Sequence, residues 1–332
     1  MGTYLVTGSC GFIGWRVSEF LMMEGHFVVG VDNMNSYYDV RLKNWRLNQL
    51  KKYDNFKFVN LDIENREALK VLFDHYRFDG IINLAARAGV TYSVKNPFVY
   101  YSTNIIGTLN LLDLAVSYNV RKFVHASTSS VYAGSSIPFV EDKVLDKPIS
   151  PYAVSKRASE LTCYNYHYLY GLDIAVLRYF TVFGPCGRPD MSIFRFIKWI
   201  DEGKEVRIYG DGTQARDFTY VDDVARGTIR ALFMAKGFEI INIGGGRAPR
   251  SLIEVVDMIG SMLGKKPKIL NLPPLRSDIK ETMADITKAR TLLSWEPEVS
   301  FEEGLRRTVN WYIDNRDWLR DVSLTVEGED EV

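Results

Sequence analysis

A tyrosine and a lysine four residues apart supply the clearest chemistry in this sequence. Tyr152 and Lys156 lie in the segment PYAVSKRASE, where Ser150 followed by Pro151 is typical of the start of a helix. Residues four apart in a helix share a face. Because a neighbouring positive charge favours the ionised form of a phenol, this pair predicts proton exchange between Tyr152 and a substrate hydroxyl.

Four consecutive hydroxyl side chains follow a predicted strand, KFVHAS, from Lys122 to Ser127. They are Ser127, Thr128, Ser129 and Ser130. A hydroxyl at the end of a strand can bind the reacting oxygen of a substrate and share its proton. For Ser127 and Ser130 a polar turn that satisfies its own backbone is an equal alternative.

Three glycines at equal spacing mark the first turn of the chain. Gly8, Gly11 and Gly14 stand in TGSCGFIG, after an apolar strand and before a helical pattern that ends at Gly25. Glycines there let a pyrophosphate approach the backbone at the positive end of the helix. The motif in this context predicts a dinucleotide site, and the alternative is a tight turn without a ligand.

An acidic residue ends the second predicted strand, FVVGVD. Asp32 is placed to accept hydrogen bonds from ribose hydroxyls, and its charge would repel a 2′-phosphate. The prediction is therefore NAD rather than NADP, unless Asp32 only caps a turn. Asp62, which ends the third strand, is predicted to reach the adenine amino group. Together with Tyr152, these residues predict hydride transfer to a nicotinamide.

Short apolar strands alternate with helical patterns along the first half of the chain, which predicts a doubly wound α/β fold with a parallel sheet. After Phe180 the pattern becomes irregular, so a second, smaller substrate-binding subdomain is expected. The predicted division is an NAD-binding domain over 1–180 joined by about 217–246, a second subdomain over 181–216 and 247–325, and an acidic tail over 326–332.

The composition argues against several classes of protein. The 41 basic and 41 acidic residues cancel, so neither a nucleic acid nor an anionic membrane is an expected partner. No run of 18 apolar residues and no signal-peptide pattern occurs. The three cysteines have neither metal-like spacing nor the density of a disulfide framework, so no metal site is predicted and a reducing, cytoplasmic location is expected.

The ordered motifs resemble the extended short-chain dehydrogenase/reductase family, which acts on nucleotide sugars. They are the glycine turn, STSSVY, YAVSK, RYFTVFGP and RDFTYVDDVA, and they cover nearly the whole chain. Within the family, VDNMNSYYDVRLKN, ARAGVTYSVKNP and GRPDM look most like the branch that epimerises UDP-glucuronate. The resemblance implies an NAD-dependent enzyme that inverts C4 of a UDP-sugar through a 4-keto intermediate. It also implies a homodimer formed by the helices that begin near Pro97 and Pro151.

The resemblance further implies roles for individual residues. Thr128 would contact the sugar O4, Tyr152 would be the acid/base and Lys156 would bind the nicotinamide ribose. Substrate contacts would come from Thr128, Ser129, Thr181, Arg188, Arg216 and Asp278, with Arg188 a partner for the glucuronate carboxylate and Arg216 for the diphosphate. The NAD site would be lined by Gly8, Gly11, Phe12, Ile13, Gly14, Asp32, Asn33, Asn35, Asp62, Ile63, Leu84, Ala85, Ala86, Arg87, Tyr152 and Lys156.

Particular positions separate the related activities. Dehydratases and UDP-xylose synthases of the family have an acidic residue where Ser130 stands, and serine is a poor base for the C5 proton. An epimerase of UDP-glucose or UDP-N-acetylglucosamine remains the nearest alternative, and Thr181 followed by GRPDM is the discriminating feature, since the resemblance implies asparagine there in such enzymes. Arg87 and Thr91 depart from the pattern, which has glutamine and arginine. A non-catalytic NAD-binding scaffold is disfavoured because Thr128, Tyr152 and Lys156 are all present.

Overall fold

A seven-stranded parallel sheet forms the centre of the fold in a computed structural model, which describes residues 1–274 and 279–326. All of its neighbouring strands pair in parallel. From one edge to the other the strands are Phe238–Ile243 (β11), Asp173–Tyr179 (β6), Lys122–Thr128 (β5), Gly80–Asn83 (β4), Thr3–Thr7 (β1), Phe27–Asp32 (β2) and Phe56–Asn60 (β3).

Helices cover both faces of this sheet. Along β1, Leu5 packs into one apolar cluster and Val6 into the other, because successive side chains of a strand point to opposite faces. The helices are α1 Phe12–Met23, α2 Val40–Leu50, α3 Arg66–His75, α4 Val90–Lys95, α5 Pro97–Tyr101, α6 Thr108–Ser117, α7 Pro151–Tyr170, α8 Ser192–Asp201, α9 Val221–Met234, α10 Leu252–Leu263, α11 Thr287–Leu293, α12 Phe301–Asp314 and α13 Arg316–Leu319. The predicted doubly wound α/β class is confirmed.

The strand order reverses between β1 and β4, since the chain proceeds from β1 through β2 to β3 and then returns to β4 on the other side. Ligands of open parallel sheets bind at the carboxyl ends of the strands where the order reverses. The ends of β1, β2, β4 and β5 therefore surround the expected binding position.

Within the described residues, three two-stranded sheets lie outside the central one. They pair β7 Thr181–Phe183 with β10 Phe218–Tyr220, β9 Ala215–Arg216 with β12 Arg250–Ser251, and β8 Glu205–Tyr209 with β13 Lys268–Leu272. Between these segments the chain returns to the central sheet as β11, which pairs with β6. The division into two subdomains at the predicted boundaries stays a prediction.

Local structure differs from the sequence predictions at two places. The helix expected to begin near Pro97 is α5, which is followed by a π-helical stretch, Ser102–Gly107, and then by α6. Helix α2 was not predicted; it begins after Asp39, whose side chain accepts a hydrogen bond from the Arg41 N–H as a helix cap. In the part of the chain that the structure describes, no helix has the length and apolar character to cross a membrane.

Candidate active site

A cleft of about 510 Å³ opens at the carboxyl edge of the central sheet. All of the residues predicted for catalysis and cofactor binding line it, from Gly8 at the first turn to Lys156 on α7. The predicted substrate residues Ser129, Thr181, Arg188 and Arg216 line the same cleft. Asp278 lies outside the described residues. The fold thus brings together residues that are more than 200 positions apart in the chain.

The glycine turn is dictated by close backbone contacts. Gly8 has a φ of +67°, and a Cβ on it would lie 2.7 Å from the Ala85 nitrogen. A Cβ on Gly14 would lie 2.1 Å from the carbonyl oxygen of Gly8. The turn itself therefore requires glycine at these positions, independently of any ligand.

The beginning of α1 has the properties of an anion site. Gly11 is the N-cap residue, no side chain caps the helix, and its first turn holds no acidic residue. Phe12 and Ile13, which open the helix, line the cleft. Uncapped N–H groups at the positive end of a helix dipole fit a pyrophosphate.

Asp32 lies 7% exposed at the end of β2. Its carboxylate accepts hydrogen bonds from the backbone N–H groups of Cys10 (3.2 Å) and Met34 (2.9 Å). The ammonium of Lys43 is 3.5 Å from Oδ1 of Asp32 and donates to the Asn35 side chain at 3.2 Å. Asp32 therefore both shapes its turn and presents a carboxylate to the cleft, with a buried cation beside it.

The neighbouring loops are joined by side-chain hydrogen bonds. The Asn33 amide donates to Asp62 at 2.6 Å, and the Asn35 amide donates to the Asn33 carbonyl oxygen, also at 2.6 Å. Asp62 lies beside Ile63 in the cleft lining. These contacts form a polar wall with carboxylate and amide groups that fits the adenine end of a dinucleotide.

The proposed acid/base, Tyr152, lies at the start of α7 within contact of Thr128 at the end of β5. Burial raises the pKa of Tyr152, whereas a hydrogen bond with the Thr128 side chain and the charge of Arg188 lower it. The sequence predicted that Lys156 would provide this charge. In the described part of the chain, the positive charge of Arg188, on the loop after β7, lowers the pKa of Tyr152. The role of Lys156 in ionising the phenol stays a prediction.

Lys156 is 3% exposed and donates from Nζ to the carbonyl oxygen of Ala126 at 2.8 Å. Burial lowers its pKa to about 8. His125 lies close behind, and burial together with the Lys156 charge lowers the histidine pKa well below its usual value. The ring is held by the Ser159 hydroxyl at 2.8 Å, so His125 is a buried neutral support for this region.

Neighbouring hydroxyls of STSSVY have different partners. The Ser127 hydroxyl donates to Glu160 at 2.5 Å, and Glu160 is bound by both Arg178 and Arg157. The Thr128 hydroxyl donates to Ser130 at 3.2 Å and accepts from the Ser130 N–H at 3.1 Å. Ser127 thus belongs to a buried ion-pair network, whereas Thr128 belongs to the cleft.

The far end of the cleft carries two arginines. The Arg188 guanidinium forms a bidentate pair with Asp190, from Nε at 3.1 Å and from Nη2 at 2.6 Å. Arg216 donates to the carbonyl oxygen of Ala215 at 2.9 Å.

Arg87, which departs from the expected pattern, lies 5.7 Å above the Tyr37 ring, and Arg188 lies 5.8 Å from the same ring. The planar guanidinium groups of Arg188 and Arg216 can each donate two parallel hydrogen bonds to anionic oxygens.

Comparison with known proteins gives the family. The sequence profile described as GDP-mannose 4,6 dehydratase matches residues 5–308. The chain belongs to this family of extended short-chain dehydrogenases/reductases. The resemblance predicted from the motifs is confirmed, since the match spans the glycine turn and YAVSK alike.

Several similar proteins are named as 4-epimerases. UDP-glucuronate 4-epimerase of Thermodesulfobacterium geofontis is 58% identical over 324 residues, which are 98% of this chain and 100% of that protein. The structure of UDP-glucuronic acid 4-epimerase from Bacillus cereus, in complex with UDP-glucuronic acid and NAD, is 38% identical, with a TM-score of 0.88 and coverage of 94% and 99% of the two chains. UDP-glucose 4-epimerase of Thermotoga maritima with UDP-glucose is 34% identical, with a TM-score of 0.87 and coverage of 95% and 99%.

Several cleft residues of this family member were not predicted from the sequence. Lys43 and Tyr38 come from the α2 region, and Thr282 comes from a segment beside the undescribed residues 275–278. Asp39 before apolar Leu42 and Leu50 is a signal that could have indicated α2. The pairing of Asp190 with Arg188 could not be predicted in this way, because the sequence Arg-Pro-Asp does not determine the orientation of its side chains.

Proposed function

We propose that this chain is an NAD-dependent 4-epimerase that interconverts UDP-glucuronate and UDP-galacturonate through a 4-keto intermediate. The observation that carries the proposal is the contact between Tyr152 and Thr128 at the carboxyl edge of the sheet. It supplies a proton acceptor and a second hydroxyl for one substrate oxygen. The similarity to the T. geofontis protein, which is named UDP-glucuronate 4-epimerase, supports the choice of sugar.

NAD fits the near end of the cleft. The uncapped start of α1 would hold the pyrophosphate, Asp32 the adenosine ribose, and Lys156 the nicotinamide ribose. Bound NAD supplies a reversible hydride acceptor for C4 of the sugar. Asp32 favours NAD over NADP because its carboxylate repels a 2′-phosphate.

Proton transfer is the task of Tyr152. The phenolate takes the proton from the C4 hydroxyl as that carbon becomes a ketone, and it returns the proton when the carbon is reduced again. Thr128 donates to the same oxygen and keeps it in line with the phenol. The pKa of Tyr152 is raised by burial, so its ionised form depends on Thr128 and on nearby positive charge.

The far end of the cleft fits the nucleotide sugar. Arg216 would bind the diphosphate, and Thr181, Ser129 and Arg188 would face the sugar; Asp278 is proposed near the uridine ribose. The ketone of a glucuronate is a β-keto acid that loses carbon dioxide when its carboxylate is aligned for cleavage. Fixed donors that hold the carboxylate away from that alignment prevent the loss. The segments 181–216 and 247–325 would form this substrate-binding subdomain.

A second candidate is 4-epimerisation of an uncharged UDP-sugar. Arg188 already pairs with Asp190, so its charge is balanced before a substrate carboxylate arrives. The similarity to a UDP-glucose 4-epimerase points the same way. Three N–H groups of Arg188 are not used by Asp190, and these are available for the uronate.

The test is incubation of the purified protein and NAD with UDP-glucuronate, UDP-glucose and UDP-N-acetylglucosamine, with the sugar products identified by NMR. We expect inversion at C4 of UDP-glucuronate without carbon dioxide release. Tyr152→Phe should abolish the inversion and retain NAD. Inversion of only the uncharged sugars would establish the second candidate instead, and no inversion of any sugar would refute both.

We propose that the chain forms a homodimer through α5 and α7. Apolar side chains on these helices are exposed, including Phe98 at 80% and Tyr168 at 75%. Tyr100, on the same helix as Phe98, is fully buried and its ring lies 6.0 Å from the Tyr152 ring, so it packs within the subunit. The substitution Phe98→Asp together with Tyr168→Asp should yield monomers in sedimentation velocity, whereas Val71→Asp, on α3, should not.

A cytoplasmic location is proposed from the cysteines. Cys10, Cys163 and Cys186 are buried and unpaired with one another. Burial raises the pKa of Cys10 to about 12 and that of Cys186 to about 11, which keeps both as thiols. Such residues suit a reducing compartment.

A further inference from the structure

A buried carboxylate lies between the segments that form the far end of the cleft. Asp217, between β9 and β10, is 2% exposed. Its Oδ1 accepts from the Gly245 N–H at 2.5 Å, and its Oδ2 accepts from the N–H groups of Ala284 at 2.8 Å and Gly246 at 3.4 Å. Three backbone donors from two separate segments therefore converge on one side chain.

The backbone of Asp217 joins one more segment and makes a second contact with the segment of Ala284. Its carbonyl oxygen accepts from the Thr181 N–H at 3.1 Å, and its own N–H donates to the Thr282 hydroxyl at 3.1 Å. Thr282 in turn donates from its N–H to the Ala215 carbonyl oxygen at 3.3 Å. Asp217 thus connects β7, the β9–β10 strands, the loop after β11 and the segment that follows residue 278.

Five cleft residues lie on the segments that Asp217 connects: Thr181, Val182, Arg216, Ile279 and Thr282. The residues around the expected NAD position lie on α1, α7, the end of β2 and the loops after β1, β2, β3 and β4. Among the described residues, the hydrogen bonds of Asp217 reach none of these segments. We propose that Asp217 is a positioning residue for nucleotide-sugar binding, whose ionised carboxylate fixes the far end of the cleft without touching the ligand. This inference rests on the proposed function, because it assigns that end of the cleft to the UDP-sugar.

Burial and backbone hydrogen bonds govern the Asp217 carboxyl, and three charged residues on adjoining segments have other partners. Arg216 donates to the Ala215 carbonyl oxygen, Arg247 donates to that of Pro297 at 3.0 Å, and the Asp285 carboxylate accepts from the Thr287 N–H at 2.8 Å. The ionised Asp217 is therefore stabilised by backbone dipoles, and burial raises its pKa to about 6. A protonated carboxyl has lost acceptor capacity, so one of the three N–H groups would lose its partner.

The first measurement is the affinity of Tyr152→Phe protein, loaded with NAD, for UDP-glucuronate between pH 5 and 7.5. This background prevents turnover, and neither the diester diphosphate nor the uronate of the ligand titrates in that interval. We expect the affinity to fall about tenfold as the pH decreases through about 6, since a lost hydrogen bond of about 1 kcal/mol or more has an effect of that order. The amount of NAD retained should not change.

The second measurement uses Asp217→Asn in the same background. An amide presents one acceptor and places an NH₂ group against the remaining backbone donors, so we expect about tenfold weaker binding that no longer depends on pH. Asp223→Asn is the matched control, because Asp223 is also fully buried and accepts from the N–H groups of Glu298 and Val299, and these partners, unlike Thr181 and Thr282, do not line the cleft. It should leave the affinity and its pH dependence unchanged.

Binding by the unsubstituted Asp217 protein that is constant between pH 5 and 7.5 would overturn the proposal, even if Asp217→Asn does not fold. Equal effects of Asp217→Asn and Asp223→Asn on affinity would also overturn it, since they would indicate general loosening. Failure of the proposed function is distinguishable: the wild-type protein would then bind UDP-glucuronate without inverting C4, while absence of binding at every pH overturns both.

Discussion

The side chains of Tyr152 and Thr128 are in contact, and this hydrogen bond lowers a tyrosine pKa that burial raises. The two residues come from different elements, the start of α7 and the end of β5. The proximity of Tyr152 and Thr128 places a proton acceptor and a hydroxyl around one position for a substrate oxygen in the cleft. The contact therefore combines substrate orientation with control of the acid/base.

Removal of the Thr128 hydroxyl tests this contact. In Thr128→Val the pKa of Tyr152 should rise further, because a group that lowers it is lost. We expect turnover to fall about a hundredfold, and its rise with pH to occur at higher pH than in the wild type. The pH profile of kcat for UDP-glucuronate measures both effects. Thr128→Ser, which keeps the hydroxyl, should restore the wild-type profile, and an unshifted profile in the valine variant would contradict this role.

Burial of the Lys156 ammonium is expected to lower the free energy of unfolding. Its pKa is about 8 in the folded protein against an ordinary 10.5, so between these values the unfolded chain binds more protons and stability rises with pH. The shift corresponds to about 3 kcal/mol against the charged form at pH 7. Lys156→Met should therefore unfold at equal or higher urea concentration than the wild type at pH 7, although turnover falls at least about a hundredfold. A clear loss of stability at pH 7 would contradict the burial argument.

The Glu160–Arg178 pair is expected to be structural. Its oxygen–nitrogen distance is 2.8 Å, and both side chains are at most 1% exposed. Glu160→Gln leaves Arg178 as a buried charge without its partner, so we expect a loss of about 3–5 kcal/mol in the free energy of unfolding. Burial raises the pKa of Glu160, but the hydrogen bonds and charge of Arg178 lower it below its ordinary value. The stability that this ion pair gives the wild-type protein should therefore disappear as the pH falls below the ordinary glutamate pKa.

The matched control for Glu160 is an exposed pair. Arg66 and Asp113 approach to 2.5 Å, with side chains 46% and 41% exposed. Because solvent screens such a pair, Asp113→Asn should change the free energy of unfolding far less than Glu160→Gln does. Urea unfolding of both variants measures the difference, and equal losses would mean that the burial of the Glu160 pair has no special energetic effect.

Asp32 is expected to determine the preference for NAD over NADP. When Asp32 is replaced, Lys43 is the group expected to allow NADP to bind. In Asp32→Asn the repulsion of a 2′-phosphate is removed while the ammonium 3.5 Å away remains. We expect NAD affinity to fall about tenfold and NADP affinity to rise by a similar factor. Fluorescence titration with each cofactor measures this. Adding Lys43→Met should remove the gain for NADP, and a gain that persists would exclude Lys43.

Much of the site follows from local patterns in the sequence. Gly8, Gly11 and Gly14 are needed wherever a strand turns this tightly into a helix, and the structure has that turn. The spacing of Tyr152 and Lys156 places them on one helical face, and the alternation of strands and helices predicts the parallel sheet. These features depend on neighbours a few residues away, so the sequence determines them by itself.

Only the tertiary structure decided which partner each side chain meets. Ser127 and Thr128 are adjacent hydroxyls, yet opposite orientations along β5 direct one to Glu160 and the other to Tyr152. Lys43 reaches Asp32 because α2 packs back over β2, and Asp190 pairs with Arg188 because the loop after β7 folds into the cleft. Such contacts depend on the packing of distant elements, and no local spacing in the sequence specifies that packing.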